Sequence, residues 1–218
     1  MRNSKSYITI EFLLLFVAMP ILLAVDLGTK FEVYAKIGLV LFSFSYLLIT
    51  LKRLGAIELK VKKGIDWRAF WKRIVVTFLV IAIVTIAYVF MVDKEALFYV
   101  PFNKPGLFVM ILIVYTLFSV WPQEIIYRTF FFERYRVIFP KKSQIVFINA
   151  IVFMMAHLFF RNTLVLVLTF IGGIIFGLTY LKFKSTTLVS IEHAIYGNWL
   201  FTVGMGEMLA FPGMEAGV

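Results

Sequence analysis

The sequence predicts an all-α, polytopic membrane protein with about seven transmembrane helices, within a range of six to eight. Hydrophobic residues make up 62% of its 218 positions, and charged residues make up only 16%. The mean hydropathy is +0.95, whereas a soluble protein of this size needs far more polar side chains to cover its surface. Apolar runs of about 20 residues, which at about 1.5 Å per residue cross a bilayer, recur along the chain.

The fold class rests on seven segments with the length and composition of a membrane span. The first follows a basic start but is too long for the apolar part of a signal peptide, so we expect an uncleaved helix. The fourth contains Pro122, which would leave the carbonyl of Phe118 without its helical partner, so we expect a kink or a break there. The segments cover residues 8–26, 33–51, 74–92, 106–133, 144–160, 163–181 and 186–206.

The net charge of +10 lies in short basic blocks between the apolar runs. Sixteen of the 22 Lys and Arg residues fall on one side if the N-terminus is cytoplasmic, which predicts that orientation in a bacterial cytoplasmic membrane. These loops account for the charge, so no nucleic-acid partner is predicted. Cysteine is absent, which excludes disulfides, thiolate metal sites and a cysteine nucleophile. Glu11 lies three residues into the first span, from where it can reach the interface.

Three regions are predicted along the chain. Residues 1–105 form an N-terminal transmembrane region of three spans with a basic inner loop at 52–73, residues 106–206 form the core, and residues 207–218 form a tail. Within the loop, the segment containing Trp67 and Trp71 either lies along the inner membrane surface or anchors the start of the next helix. In the sixth span, Gly173 and Gly177 form a GxxxG pattern, which predicts close helix packing.

A few polar side chains lie deep within these apolar segments, where a charge is costly unless it is paired or hydrated. Glu124 and Arg128 are four residues apart on one helix, so they are within reach of an ion pair. His157 and His193, the only two histidines, both lie in apolar spans. Counting about 1.5 Å per residue from the inner helix ends places Glu124, His157 and Asn198 at similar depths of about 20 Å. Glu124, His157, His193 and Asn198 are therefore predicted to line one polar cavity.

The same side chains fall into three ordered motifs within residues 106 to about 205. The motifs read QEIIYR, Phe-x-x-x-His, and a His followed closely by Asn, at Gln123–Arg128, Phe153–His157 and His193–Asn198. This order and spacing resemble the CPBP family of intramembrane proteases. That family includes type II CAAX prenyl endopeptidases and proteins of bacteriocin processing and immunity.

The resemblance implies hydrolysis of a peptide bond in a membrane-embedded polar cavity. A carboxylate would take a proton from water, and hydrogen-bond donors would stabilise the oxyanion. The substrate would be a peptide or protein in or near the lipid bilayer, and no cofactor is expected. The implied roles are Glu124 as base, His157 sharing the water or proton, His193 and Asn198 binding the oxyanion, Arg128 orienting Glu124, and Gln123 positioning water or a carbonyl.

Three alternatives stay open. Gln123 stands where the family has its first carboxylate, and Gly197 stands where Asn is common, so the chain is alternatively an inactive relative that binds a peptide or partner. A small transporter with a proton relay is another possibility. Zinc bound by Glu124, His157 and His193 is a competing mechanism, although the sequence contains neither HExxH nor a second carboxylate suited as base.

Overall fold

A computed structural model describes residues 4–26, 28, 32–55, 61 and 64–209. Positions 56–60, 62 and 63 of the predicted inner loop and 210–218 of the predicted tail lie outside the described residues. No strand occurs in the described part of the chain. Seven long helices account for most of it: α1 Lys5–Ala24, α2 Glu32–Arg53, α3 Trp67–Val92, α4 Pro105–Tyr135, α5 Lys142–Met155, α6 Thr163–Phe183 and α7 Thr186–Val203.

The helices confirm the predicted fold class. Within the described residues six helices, α1 to α6, are long and apolar enough to cross a membrane. For α5 this span includes the residues after Met155 as far as Phe160. The seventh, α7, carries Glu192, His193 and Asn198, and it is not among the six. Large apolar side chains stay exposed along α3, as expected of a helix that faces lipid. They include Val75, Val76, Leu79, Val80, Ile83 and Val84.

The break that the sequence allowed at Pro122 does not occur. Helix α4 continues from Pro105 to Tyr135, and its irregularity takes the form of two π-helical segments on either side of the proline. These segments are Tyr115–Val120 and Ile125–Phe130. In such segments the hydrogen bonds run from residue i to i+5, and these turns are among the known causes of irregularity in long helices.

The basic inner loop is shorter than the predicted 52–73, because α3 begins at Trp67. The carboxylate of Asp66 accepts a hydrogen bond from the backbone N–H of Ala69 at 2.8 Å and so caps this helix. Trp67 and Trp71 therefore belong to the first turns of α3, both about half exposed. The structure places them as aromatic residues at the start of a span, and no separate surface helix precedes α3 among the described residues.

The chain forms two compact units, and the predicted regions with a boundary at residue 105 stay a prediction. One comprises residues 1–59 and 123–186, and the other comprises residues 60–122 and 187–218. The division falls in α4 directly after Pro122 and in α7 directly after Thr186. The long helix α4 thus contributes its first half to the second unit and its second half to the first.

Within the first unit, α5 and α6 pack closely at the predicted GxxxG pattern. A Cβ atom at Gly173 would lie 2.7 Å from the Cα atom of Ala150 and 3.0 Å from its Cβ atom. At Gly177 a Cβ atom would meet side-chain atoms of Val146 at 3.4 Å and of Phe132 at 3.5 Å. Only glycine lets the backbone of α5 approach this closely, so the prediction of close packing is confirmed.

Replacing Gly173 by Ala is expected to lower the free energy of unfolding by about 1–3 kcal/mol, because the new methyl group meets backbone atoms of α5. Gly172→Ala is the matched control, since a Cβ atom there meets side-chain atoms of Phe176, the nearest at 3.2 Å, and no backbone atom of α5. Thermal unfolding in detergent micelles measures both effects. Equal losses at the two glycines would contradict the close approach at Gly173.

Candidate active site

The two charged residues of the first motif form a buried ion pair in α4. The Nε atom of Arg128 lies 3.1 Å from the Oε2 atom of Glu124, and both side chains are fully buried. Glu124 ends a short α-helical stretch of α4, and Arg128 lies in the π-helical segment that follows. The four-residue spacing predicted such a pair, and the structure contains it. A buried pair is stable only when further hydrogen bonds satisfy its remaining polar atoms.

Asn149 of α5 supplies part of that support. Its Oδ1 atom accepts a hydrogen bond from Nη1 of Arg128 at 2.8 Å, and its Nδ2 atom donates to the carbonyl of Tyr127 at 2.7 Å. The side chain is fully buried. Asn149 of α5 is therefore hydrogen-bonded both to the guanidinium of Arg128 and to the backbone of α4 at Tyr127. Sequence analysis missed this residue, although it lies four positions before Phe153 on the same helical face.

Phe153, the first residue of the second motif, contacts both the charged pair and the histidine. The guanidinium of Arg128 lies 4.7 Å from the centroid of its ring, and the ring of Phe176 lies 5.6 Å away. In a buried setting such cation–π contacts are stronger than at a surface. The Phe153 ring also lies 4.9 Å from the imidazole of His157. One aromatic residue thus connects the first two motifs.

His157 lies just beyond the end of α5, and not inside the helix as the sequence suggested. It precedes a 3₁₀ turn at Leu158–Phe160, and its ring stacks on Phe160 with the centroids 5.9 Å apart. Its Nδ1 atom is 2.7 Å from the carbonyl oxygen of Phe153. Because a carbonyl only accepts hydrogen bonds, Nδ1 donates in this contact, and in the neutral form of the ring the lone pair is therefore on Nε2. That nitrogen is the one able to accept a proton.

In the second unit, His193 and Asn198 of α7 contact two neighbouring residues of α4. The Nε2 atom of His193 lies 3.2 Å from the hydroxyl of Tyr115. The amide of Asn198 donates to the hydroxyl of Thr116 at 3.0 Å. An amide nitrogen carries two hydrogens, so the contact with Thr116 uses one of the two donors of Asn198.

Two other buried carboxylates have structural partners. Glu192, next to His193, accepts a hydrogen bond from the hydroxyl of Tyr196 at 3.1 Å and lies 3.6 Å from Nε of Arg73. Glu11 does not reach out to the interface as the sequence suggested, because Arg134 pairs with it inside the first unit. Both acidic groups are therefore assigned to structural pairs of their own.

Several sequence-predicted site residues are brought together within each unit. In the first unit, Arg128 contacts both Glu124 and the ring of Phe153. In the second unit, His193 and Asn198 both contact residues of α4. Gln123 is half-buried beside Glu124 in α4. A single cavity lined by all four catalytic candidates stays a prediction.

The alternative zinc site has no ready-made ligand cluster in the described residues. Among residues 4–26, 28, 32–55, 61 and 64–209, no group of three or more His, Asp or Glu side chains is placed to hold a metal ion. The metal-free chemistry expected from the sequence stays a prediction.

Comparison with known proteins gives one match. Residues 105–199 match the family described as type II CAAX prenyl endopeptidase Rce1-like. No curated protein and no solved structure matches the chain. The matched segment contains all three motifs, from Gln123 to Asn198. The resemblance seen in the sequence is thus confirmed: residues 105–199 of this multi-pass membrane protein carry the match to the Rce1-like endopeptidase family.

Proposed function

We propose that this membrane protein is an intramembrane endopeptidase, which hydrolyses a peptide bond with water activated by a carboxylate. The observation that carries the proposal is Glu124, a fully buried carboxylate within the segment that matches an endopeptidase family. Its counter-charge Arg128 is fixed by Asn149 and by Phe153. A buried carboxylate whose charged partner is held by several contacts is oriented by that partner and is suited to take a proton from a bound water molecule.

In the proposed reaction, Glu124 removes a proton from water while the oxygen of that water attacks the peptide carbonyl carbon. The carbonyl π electrons move to oxygen and form a tetrahedral oxyanion. When the intermediate collapses, the C–N bond breaks and the proton held by Glu124 passes to the leaving amine. Glu124 returns to its starting state, and the products are a carboxylic acid and an amine. His157, with its lone pair on Nε2, shares the water or the proton.

His193 and Asn198 are the proposed donors to the oxyanion, as the family resemblance implies. A donor placed in advance costs no reorganisation when the negative charge develops, and its effect grows in surroundings of low dielectric constant. Gln123 is neutral, so its proposed part is to position water or the substrate carbonyl. The scheme uses no metal. Stoichiometric zinc in the purified protein, removed together with activity, would overturn it.

Cleavage of a panel of membrane-associated peptides tests the proposal. The panel contains prenylated and unprenylated peptides, because the chemistry above does not depend on a lipid. The parent protein is expected to cut at least one peptide, and Glu124→Ala and His157→Ala variants are expected to lose more than about 99% of that rate. Circular dichroism and gel filtration check that each variant stays folded. Undiminished cleavage by both folded variants would contradict the proposed chemistry.

A second candidate function is favoured by Gln123, which replaces a carboxylate of the family motif with a neutral amide. The chain would then be an inactive relative that binds a peptide or partner. Gln123→Glu separates the two functions. We expect the parent to cleave and the substitution to alter its rate, whereas a silent parent with an active Gln123→Glu variant would identify the inactive relative.

A further inference from the structure

The third motif departs from its family pattern at position 197, and the structure offers a physical reason for the departure. Gly197 is buried in α7, one turn after His193. A Cβ atom there would lie 2.5 Å from Cε1 and 2.6 Å from Cζ of Tyr115, and closer still to its hydroxyl. The aromatic ring of Tyr115 therefore occupies the space that any larger residue at 197 would need.

The hydroxyl of Tyr115 is also the group that meets His193, at 3.2 Å from Nε2. The two rings stand at 81° to each other, with their centroids 6.1 Å apart. On its other side the Tyr115 ring packs on Phe201, which is fully buried, at a centroid distance of 4.9 Å. Tyr115 is thus fixed by packing and offers its polar end to the imidazole.

Tyr115 lies at a local irregularity of the backbone of α4. It is the first residue of the π-helical segment Tyr115–Val120. A π-helical turn shifts the side chains that follow relative to a regular helix, and such turns occur often at functional sites. The next residue, Thr116, accepts the hydrogen bond of Asn198. Two successive residues of α4 therefore contact the two polar residues of the third motif.

We propose that Tyr115 is a positioning residue for His193, and that its hydroxyl replaces the side chain that Gly197 lacks. The hydroxyl holds the orientation of the imidazole through Nε2, as outer-shell partners do for functional histidines. The inference rests on the proposed function for the catalytic role of His193. The contact between Tyr115 and His193 is tested separately from catalysis.

The chain has only two histidines, so selective ¹⁵N-histidine labelling gives two imidazole spectra in detergent micelles. A His157→Gln variant assigns them. Tyr115→Phe keeps the ring that packs on Phe201 and removes only the hydroxyl. It is expected to shift the Nε2 resonance of His193 and to leave that of His157 unchanged. Tyr88→Phe, the same change on the exposed side of α3, is the control expected to shift neither.

Gly197→Ala tests the steric part, because the added methyl group has to displace Tyr115. It is expected to shift the same His193 resonance as Tyr115→Phe does. In the cleavage assay, Tyr115→Phe is expected to lower kcat about ten- to a hundredfold with little change in KM. Tyr115→Ala combined with Gly197→Asn restores an amide at position 197 and is expected to cleave faster than Tyr115→Ala alone.

The outcomes separate the two proposals. A parent that cleaves no peptide, together with a His193 shift in Tyr115→Phe, rejects the endopeptidase proposal and supports the contact between Tyr115 and His193. Unchanged His193 resonances in both Tyr115→Phe and Gly197→Ala overturn the positioning role, whatever the activity. Full activity of Tyr115→Phe in an active parent overturns it as well.

Discussion

Glu124→Gln is expected to abolish peptide cleavage, with a loss of about a hundredfold to ten thousandfold in kcat. Gln has nearly the shape of Glu but cannot take a proton from water, so the chemical part of the loss is the loss of the base. The substitution also removes the counter-charge of Arg128, which is fully buried. Removing one partner of a buried ion pair costs about 3–5 kcal/mol of stability. The single variant thus combines a chemical effect with a structural one.

A second substitution separates these two effects. Glu124→Gln combined with Arg128→Met removes both charges. We expect the free energy of unfolding of this double variant to be closer to the parent's value than that of Glu124→Gln alone. Its cleavage rate is expected to stay as low as that of the single variant. Thermal unfolding in detergent and peptide cleavage are measured on the same preparations. Recovery of activity in the double variant would show that Glu124 has only a structural role.

The chain offers a matched control pair near the end of α4. Glu133 and Arg136 lie 3.9 Å apart, three residues from each other, and the side chain of Arg136 is largely exposed. Exposed pairs of this kind contribute less than about 1 kcal/mol. Glu133→Gln is therefore expected to change neither stability nor cleavage by much. A large loss there would mean that removing any carboxylate from this helix is harmful, and the Glu124 result would lose its meaning.

Glu11→Gln is expected to lower the free energy of unfolding by about 3–5 kcal/mol without removing a catalytic group. Both oxygens of Glu11 accept hydrogen bonds from Arg134, at 2.8 Å from Nε and 2.8 Å from Nη2. The hydroxyls of Tyr46 and Tyr135 donate to the same carboxylate at 2.5 and 3.2 Å. An amide keeps the shape but leaves the buried guanidinium without its counter-charge.

Stability in this case is measured by thermal unfolding, and activity is measured per folded molecule. Tyr7→Phe is the control, because Tyr7 is exposed and the substitution removes only its hydroxyl, which lies 2.9 Å from the hydroxyl of Tyr46. The ring of Tyr7, 5.8 Å from the guanidinium of Arg134, is kept. We expect it to cost less than about 1 kcal/mol. A folded Glu11→Gln protein that has lost all cleavage activity would contradict the structural assignment and make Glu11 a catalytic candidate.

The main features of the fold follow from apolar patterning, and the differences have local causes. The seven predicted spans overlap α1–α7, and α1–α6 are long and apolar enough to cross a membrane, because runs of apolar residues fix where a helix can meet lipid. The start of α3 was predicted too late, since its first turns carry charges and are capped by Asp66. Pro122 was predicted to kink or break α4, and the helix is continuous but irregular on both sides of the proline, where it forms π-helical turns.

The sequence alone determined which residues carry charge in the apolar core. It also predicted the pairing of Glu124 with Arg128, because residues four positions apart lie on the same face of a helix. Only the tertiary structure decided the partners that come from other helices. Asn149 meets Arg128 across 21 positions, and Tyr115 meets His193 across 78. Such contacts depend on how separate helices pack, and helix periodicity contains no information about that packing.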